Sequence, residues 1–297
     1  MGHQMWMSPV TGYRRQGTRF ESFRSIFLDN AKISTVLEPV LVVKNSDSSL
    51  SVQAALEERD FDTTCVVEEN GEIVGKIEKT SLGEGIVSDF LIEIQDHEKV
   101  DENVSLVELL DTLILSNYKY VTREGKIYGI ITRSDINKPI PRTYLFGVVS
   151  LVELHMNFWV NFYYPEKTWI GLLKEDRQKK LSDNINLRKN GGDYLNTIDC
   201  AQFCDKKEIL RNTSDFLKQF KFSKTRYTDF MTRLEKVRNE IAHSQSSLIG
   251  EIAWDVLASN VIAAETFLIM SDEAIEQDGH ERSRKYVSSV LVSMPVG

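Results

Sequence analysis

The sequence predicts an α+β N-terminal part, built as two β-α-β-β-α units, followed by an all-α C-terminal helical bundle. Three observations carry this prediction. A pattern in residues 49–77 returns in residues 105–132. Pro139 and Pro141, one residue apart, then interrupt the chain. From Leu145 onward apolar residues recur at helical spacing.

The repeat organises the first half. Ser49 to Ser105 is 56 residues, while Gly71 to Gly125 and Gly75 to Gly129 are both 54. Each unit reads as helix, strand, tight turn, strand, helix. The first helix of each starts at a serine, whose hydroxyl can cap free N–H groups. Val52 and Leu56, and Leu106, Leu109 and Leu110, place apolar side chains at helical spacing. Asn70-Gly71 is a strong hairpin signal, because both residue types tolerate positive φ, and Glu124-Gly125 is a weaker one. The flanking segments are β-branched and aromatic, as half-buried strands prefer.

Lys138–Arg142, with its two prolines, reads as a domain boundary, since neither proline suits a helix interior. Beyond it, helices are expected over Leu145–Tyr164, Thr168–Leu181, Leu195–Gln219 (one or two, with a cap at Asn212–Asp215), Tyr227–His243 and Glu251–Met270. Asn190–Gly192 reads as a break. Residues 1–24 and 276–297 are expected as tails. The domains are thus 25–140 and 143–275.

Composition bounds the function. The chain has 297 residues, 41% of them hydrophobic, and a net charge of −8, so it is no generic nucleic-acid binder. Between Lys174 and Arg238, however, 16 Lys/Arg face 10 Asp/Glu. A local excess of that kind suits either RNA or a solvated helix face. Three cysteines give no disulfide framework and point to a reducing, cytoplasmic setting. No Cys/His cluster suggests a metal. Residues 1–17 lack the apolar core of a signal peptide. Leu145–Tyr164, interrupted by Glu153 and His155, reads as a buried helix and not a membrane span. Trp159, Phe162 and Tyr163 read as core, and the histidines at 3, 97, 155 and 280 as scattered and without partners.

With its helix–hairpin–helix order and Gly129-Ile130-Ile131-Thr132-Arg133-Ser134-Asp135, the segment from Ile33 to Ile140 resembles the cystathionine-β-synthase (CBS) domain family, whose domains occur in pairs. The resemblance implies an adenine nucleotide (AMP, ADP or ATP) as regulatory ligand. Thr132 and Ser134 would stand at a helix start suited to phosphate, and Asp135 would accept both hydroxyls of a ribose. A helix-capping role for Thr132 and Asp135 is the alternative. The first unit departs from the pattern: Glu78 stands at the Thr position and Ser81 at the Asp position. A carboxylate at Glu78 would repel phosphate, so one nucleotide site per chain, or none, is expected.

In the second half, Arg238-Asn239 and His243 close the Tyr227 helix. Arg238, four residues, then His243 resembles the motif of HEPN domains, helical bundles that are often metal-independent endoribonucleases; the resemblance covers Thr143 to Met270. His243 suits acid–base work, Arg238 a phosphate, and Asn239 the orientation of His243. Products would be a 2′,3′-cyclic phosphate and a 5′-hydroxyl. Five helical residues rotate by ~140°, so either the helix distorts before His243 or the site is composite across the homodimer that the resemblance implies. The plain alternative pairs Arg238 with Glu235 and leaves His243 at a helix C-terminus. The expected function is a nucleotide-regulated ribonuclease, in a toxin or phage-defence setting by family analogy. The competing expectation is a non-catalytic adenylate-sensing regulator whose helical domain dimerises, binds RNA or docks a partner.

Overall fold

The computed structural model describes residue 6 and residues 14–190, 196–242, 247–248 and 252–291, with side chains to 278 except at 189–190. The chain divides into two compact units, Phe27–Ile140 and Met1–Ile26 together with Pro141–Gly297.

In the first unit each repeat forms a parallel strand pair spanned by a helix and closed by a hairpin. The first repeat is β2 (Val42–Lys44), α2 (Ser49–Glu58), β3 (Thr63–Val67) and β4 (Ile73–Glu78), in the order β2-β3-β4. The second is β5 (Lys99–Asp101), α3 (Leu106–Thr112), β6 (Tyr118–Arg123) and β7 (Lys126–Thr132). Its sheet gains a fourth strand, β1 (Glu38–Pro39), in the order β1-β7-β6-β5. Both hairpins carry an irregularity at matching places, Val66/Val67 and Val121/Thr122.

The repeats exchange their leading segments. Glu38, ahead of the first repeat, pairs with Ile130 of the second. Ile92, ahead of the second, pairs with Lys76 of the first. Both relations keep the 54-residue offset. The exchange explains Gly75 and Gly129. A Cβ on Gly75 would lie 2.6 Å from the Ile92 carbonyl oxygen, and one on Gly129 3.0 Å from that of Glu38. These glycines admit a crossing strand. Between the sheets, Cys65, Ile94 and Tyr120 are buried. Thr63 Oγ1 donates to the Ile77 carbonyl at 2.9 Å and therefore accepts from the Tyr120 hydroxyl at 2.7 Å. Burial pushes the Cys65 thiol up to about 12, so it is inert.

The two turns reverse the expected ranking. At Glu124-Gly125 both φ values are positive, 51° and 79°, in a two-residue loop. At Asn70-Gly71 only Gly71 is left-handed. There the Gly71 N–H donates to the Glu68 carbonyl and the Glu68 N–H to that of Glu72, which makes a loop one residue longer. Asn70 serves by accepting the Glu72 N–H at 2.8 Å, not by adopting positive φ.

The second unit is helical: α4 (Pro139–Tyr163), α5 (Glu175–Asn190), α6 (Phe203–Arg211), α7 (Ser214–Gln219), α8 (Lys224–Ala242) and α9 (Trp254–Leu291), with short 3-10 turns. Helix α1 (Phe20–Asn30) precedes β1. Four expectations need correction. The two prolines do not separate domains by a non-helical linker. They occupy the first turn of α4, where a missing N–H costs nothing. The helix expected over Thr168–Leu181 breaks after Leu172, and α5 starts at Glu175. Residues 14–24 are no tail: Phe20 is buried, and its N–H donates to Asp272 Oδ2 at 2.7 Å. Nor is 276–291, which continues α9.

Helix α4 is the only described helix long and apolar enough to cross a membrane. Its apolar window is 56% buried inside the protein, as in a core helix. Trp159 packs edge-on against Phe158, Phe162 and Phe220; Phe158 and Trp159 are core, while Phe162 and Tyr163 are half-buried at its edge. His155, expected without partners, has one: its Nδ1 lies 2.7 Å from Ser271 Oγ, which also accepts the Trp159 Nε1–H at 2.7 Å.

Candidate functional site

The Thr132–Asp135 junction forms where β7 ends. The chain turns into a five-residue 3-10 helix, Arg133–Asn137. Asp135 is buried; its Oδ2 accepts the Thr132 N–H at 2.7 Å and the Thr132 hydroxyl at 3.1 Å. Asp135 Oδ1 pairs with Lys138 Nζ at 2.8 Å. The same ammonium bonds the Glu38 carboxylate and the Val36 carbonyl. Burial works against the Lys138 charge, but these partners outweigh it and hold its pKa above the ordinary lysine value. Ser134 is exposed. Arg133 points away from the junction, to the carbonyls of Leu113 and Ile114. The capping role is therefore realised in this geometry.

The first repeat answers differently. Glu78, at the position of Thr132, accepts from Lys76 Nζ at 2.7 Å, and Glu98 accepts from the same ammonium at 2.7 Å. The Tyr118 hydroxyl completes the set at 3.1 Å. The Lys76 side chain is 6% exposed. Burial opposes its charge, yet the two carboxylates raise its pKa. Glu78 was expected to repel phosphate as a free carboxylate; it is instead paired with Lys76.

A cleft of about 870 Å³ opens between the two hairpin turns. Its floor is Val40, Ile73, Ile94 and Ile127, and Lys99 and Lys126 lie among its lining. It sits at the opposite end of β7 from Thr132, and no sequence motif pointed to it.

In the helical unit, α8 stays regular through Ala242. Arg238 and Asn239 are exposed. Arg238 does not pair with Glu235, which instead accepts from Lys207 Nζ at 2.6 Å. Arg238 Nε lies 3.5 Å from Glu153 Oε2 on α4. Glu153 Oε1 also holds the ammonium of Lys206, a side chain only 2% exposed, at 2.7 Å. Arg142 donates to the Glu240 carbonyl near the helix end at 3.1 Å. His243 lies outside the described residues. Among the described residues no group of three His, Cys, Asp or Glu is placed to hold a metal ion.

The comparisons meet this geometry in the first unit. A model of the CBS domain matches residues 87–141, the second repeat with its Thr132–Asp135 junction. The chain therefore contains a CBS domain there, in an N-terminal CBS-like fold followed by a helical region. No curated protein matches the chain. Among solved structures, an uncharacterized conserved protein from Pyrococcus horikoshii is similar at 25% identity and a TM-score of 0.32, over 36% of this chain and 90% of that one. CbpB, in complex with c-di-AMP, is similar at 18% identity and a TM-score of 0.34, over 43% and 94%. CBSX2, in complex with AMP, is similar at 18% identity and a TM-score of 0.33, over 38% and 98%.

Proposed function

We propose that the Phe27–Ile140 unit is an adenine-nucleotide sensor that binds its ligand at Thr132, Ser134 and Asp135. The observation that carries this reading is the CBS match over a junction whose buried carboxylate, Asp135, is capped by the partly exposed Lys138. Thr132 and Ser134 would face the phosphate and Asp135 the ribose. The first repeat takes no nucleotide in this reading, because Glu78 and Ser81 replace the Thr and Asp of the seat and Glu78 is paired with Lys76. Calorimetric titration of the full chain with AMP, ADP and ATP tests this. Saturable binding that Asp135→Asn removes is the expected result; absence of binding to all three refutes it.

A second reading concerns output. The helical unit would cut RNA without a metal at Arg238, Asn239 and His243, as a homodimer, under control of the nucleotide. It is favoured by the exposure of Arg238 and Asn239 together at one end of α8. In this reading an RNA phosphate draws the Arg238 guanidinium from Glu153, whose charge remains balanced by Lys206. Purified protein is mixed with total RNA in EDTA, beside Arg238→Ala and His243→Ala, with and without AMP or ATP. Cleavage by the unaltered chain alone, leaving cyclic-phosphate ends, is expected. Equal cleavage by all three refutes the assignment, and no cleavage leaves the helical unit as the docking part of a non-catalytic regulator.

A further inference from the structure

We infer that Lys138 is a removable internal counter-ion of the Thr132–Asp135 seat, and that it sets a preference for phosphorylated nucleosides over bare ones. The inference rests on the nucleotide reading of that seat and names the residue that decides its selectivity.

Three observations lead to it. First, Lys138 Nζ takes the one Asp135 oxygen that the turn leaves over, at 2.8 Å, while Oδ2 is used by Thr132. Second, the two repeats hold their lysines differently. Each ammonium meets two carboxylates and one further oxygen, but the Lys76 side chain is 6% exposed and the Lys138 side chain 30%. The more exposed ammonium has solvent to move into along its flexible four-carbon stem. Third, the seat carries two carboxylates, Asp135 and Glu38, and Lys138 is the only ammonium that pairs with either of them among the described residues. Arg133 is committed to two carbonyls elsewhere. Without Lys138 the seat would repel a phosphate.

The exchange follows from these contacts. A ribose diol donates to Asp135 Oδ1 and displaces the ammonium. When the Thr132 hydroxyl turns its proton from Asp135 Oδ2, which keeps the Thr132 N–H, to a phosphate, the freed ammonium gains a new anion beside the seat. A nucleoside without phosphate offers no such replacement, so the ammonium keeps competing for Asp135. Selectivity therefore comes from a side chain that guards the ribose contact and rewards the phosphate.

The test titrates AMP and adenosine into the full chain and into Lys138→Met and Glu38→Gln, with thermal melts to show that each variant is folded. Lys138→Met is expected to weaken AMP about tenfold, the worth of one charge-assisted contact, and to tighten adenosine. Glu38→Gln keeps the ammonium but loosens its anchor, so AMP binding is expected to tighten. An unchanged AMP-to-adenosine ratio in Lys138→Met overturns the inference while leaving the nucleotide seat standing. Weaker AMP binding in Glu38→Gln overturns it too, since the anchor and not the free ammonium would then matter. If the unaltered chain binds neither ligand, the nucleotide reading fails first and this inference with it.

Discussion

His155 gives a prediction whose size can be worked from its surroundings. Its imidazole is fully buried on α4, with the Trp6 ring edge-on at 4.7 Å and Phe267 at 6.4 Å. Ser271 Oγ accepts the Trp159 N–H and lies 2.7 Å from His155 Nδ1. Asp272 lies 3.6 Å from Nε2. That carboxylate would favour an imidazolium, but it is bound to Arg14 and to the Phe20 N–H. Burial therefore dominates, the Arg14 charge adds to it, and the pKa falls to about 3. A histidine depressed in the folded state contributes fully above the unfolded value of about 6.5 and loses that contribution as pH falls toward 3, because only the unfolded chain takes the proton. From pH 7.5 to 5.5 the loss is about 1.4 kcal/mol. The perturbation is His155→Gln, which keeps an acceptor for Ser271 and does not titrate. All four tryptophans lie in the helical unit, so urea unfolding followed by their emission reports that unit alone. Other histidines cancel in the difference between the two proteins. Burial raises the Asp272 pKa above the ordinary carboxylate value, a contribution of opposite sign that both proteins share. His155→Gln should lower stability at pH 7.5 and flatten its decline toward pH 5.5. An equally steep decline in both proteins would refute the reasoning.

The other predictions concern the scaffold. Gly75→Ala should destabilise the repeat unit by about 3 kcal/mol, because its Cβ would lie 2.6 Å from the Ile92 carbonyl oxygen, and Gly129→Ala by about 1, where the Glu38 carbonyl oxygen is at 3.0 Å; chemical denaturation read by circular dichroism checks the ranking. Glu124→Asn should stabilise the same unit by roughly 0.5–1 kcal/mol, since asparagine accepts the left-handed φ of 51° more readily, and a lower melting temperature would count against it. Glu153→Gln should destabilise the helical unit by about 3 kcal/mol, because it leaves the buried Lys206 ammonium without its counter-charge. Glu153→Gln with Lys206→Met should recover most of that loss, and a failure to recover would mean that Glu153 acts in another way.

Much of the fold was legible because the signals are local. The 54-residue repeat fixes where strands and turns recur, since each unit must bury the same faces. The spacing of Phe230, Leu234, Val237 and Ile241 marks α8; the first three are buried and Ile241 is half-buried. Gly71 and Gly125 both take positive φ, as the turn residues imply. Local signals also misled. Asn70-Gly71 looks like the tighter turn, yet an extra residue in the loop lets Asn70 act through its side chain. Pro139 and Pro141 look like a linker, yet at a helix start their missing N–H groups have no partner to lose.

The sequence by itself determined the α+β and helical division, the tandem CBS-like repeat and the residues Thr132, Asp135, Arg238 and Asn239 as the places to look. The tertiary structure alone decided what those residues touch. The crossing of leading segments, the lysines that close the two repeat ends, the sharing of Glu153 by Lys206 and Arg238, and the burial of His155 against Ser271 all join residues far apart in the chain. Periodicity records which face of an element is apolar. It carries no record of which distant charge will meet which, because that follows only once packing has brought both out of water.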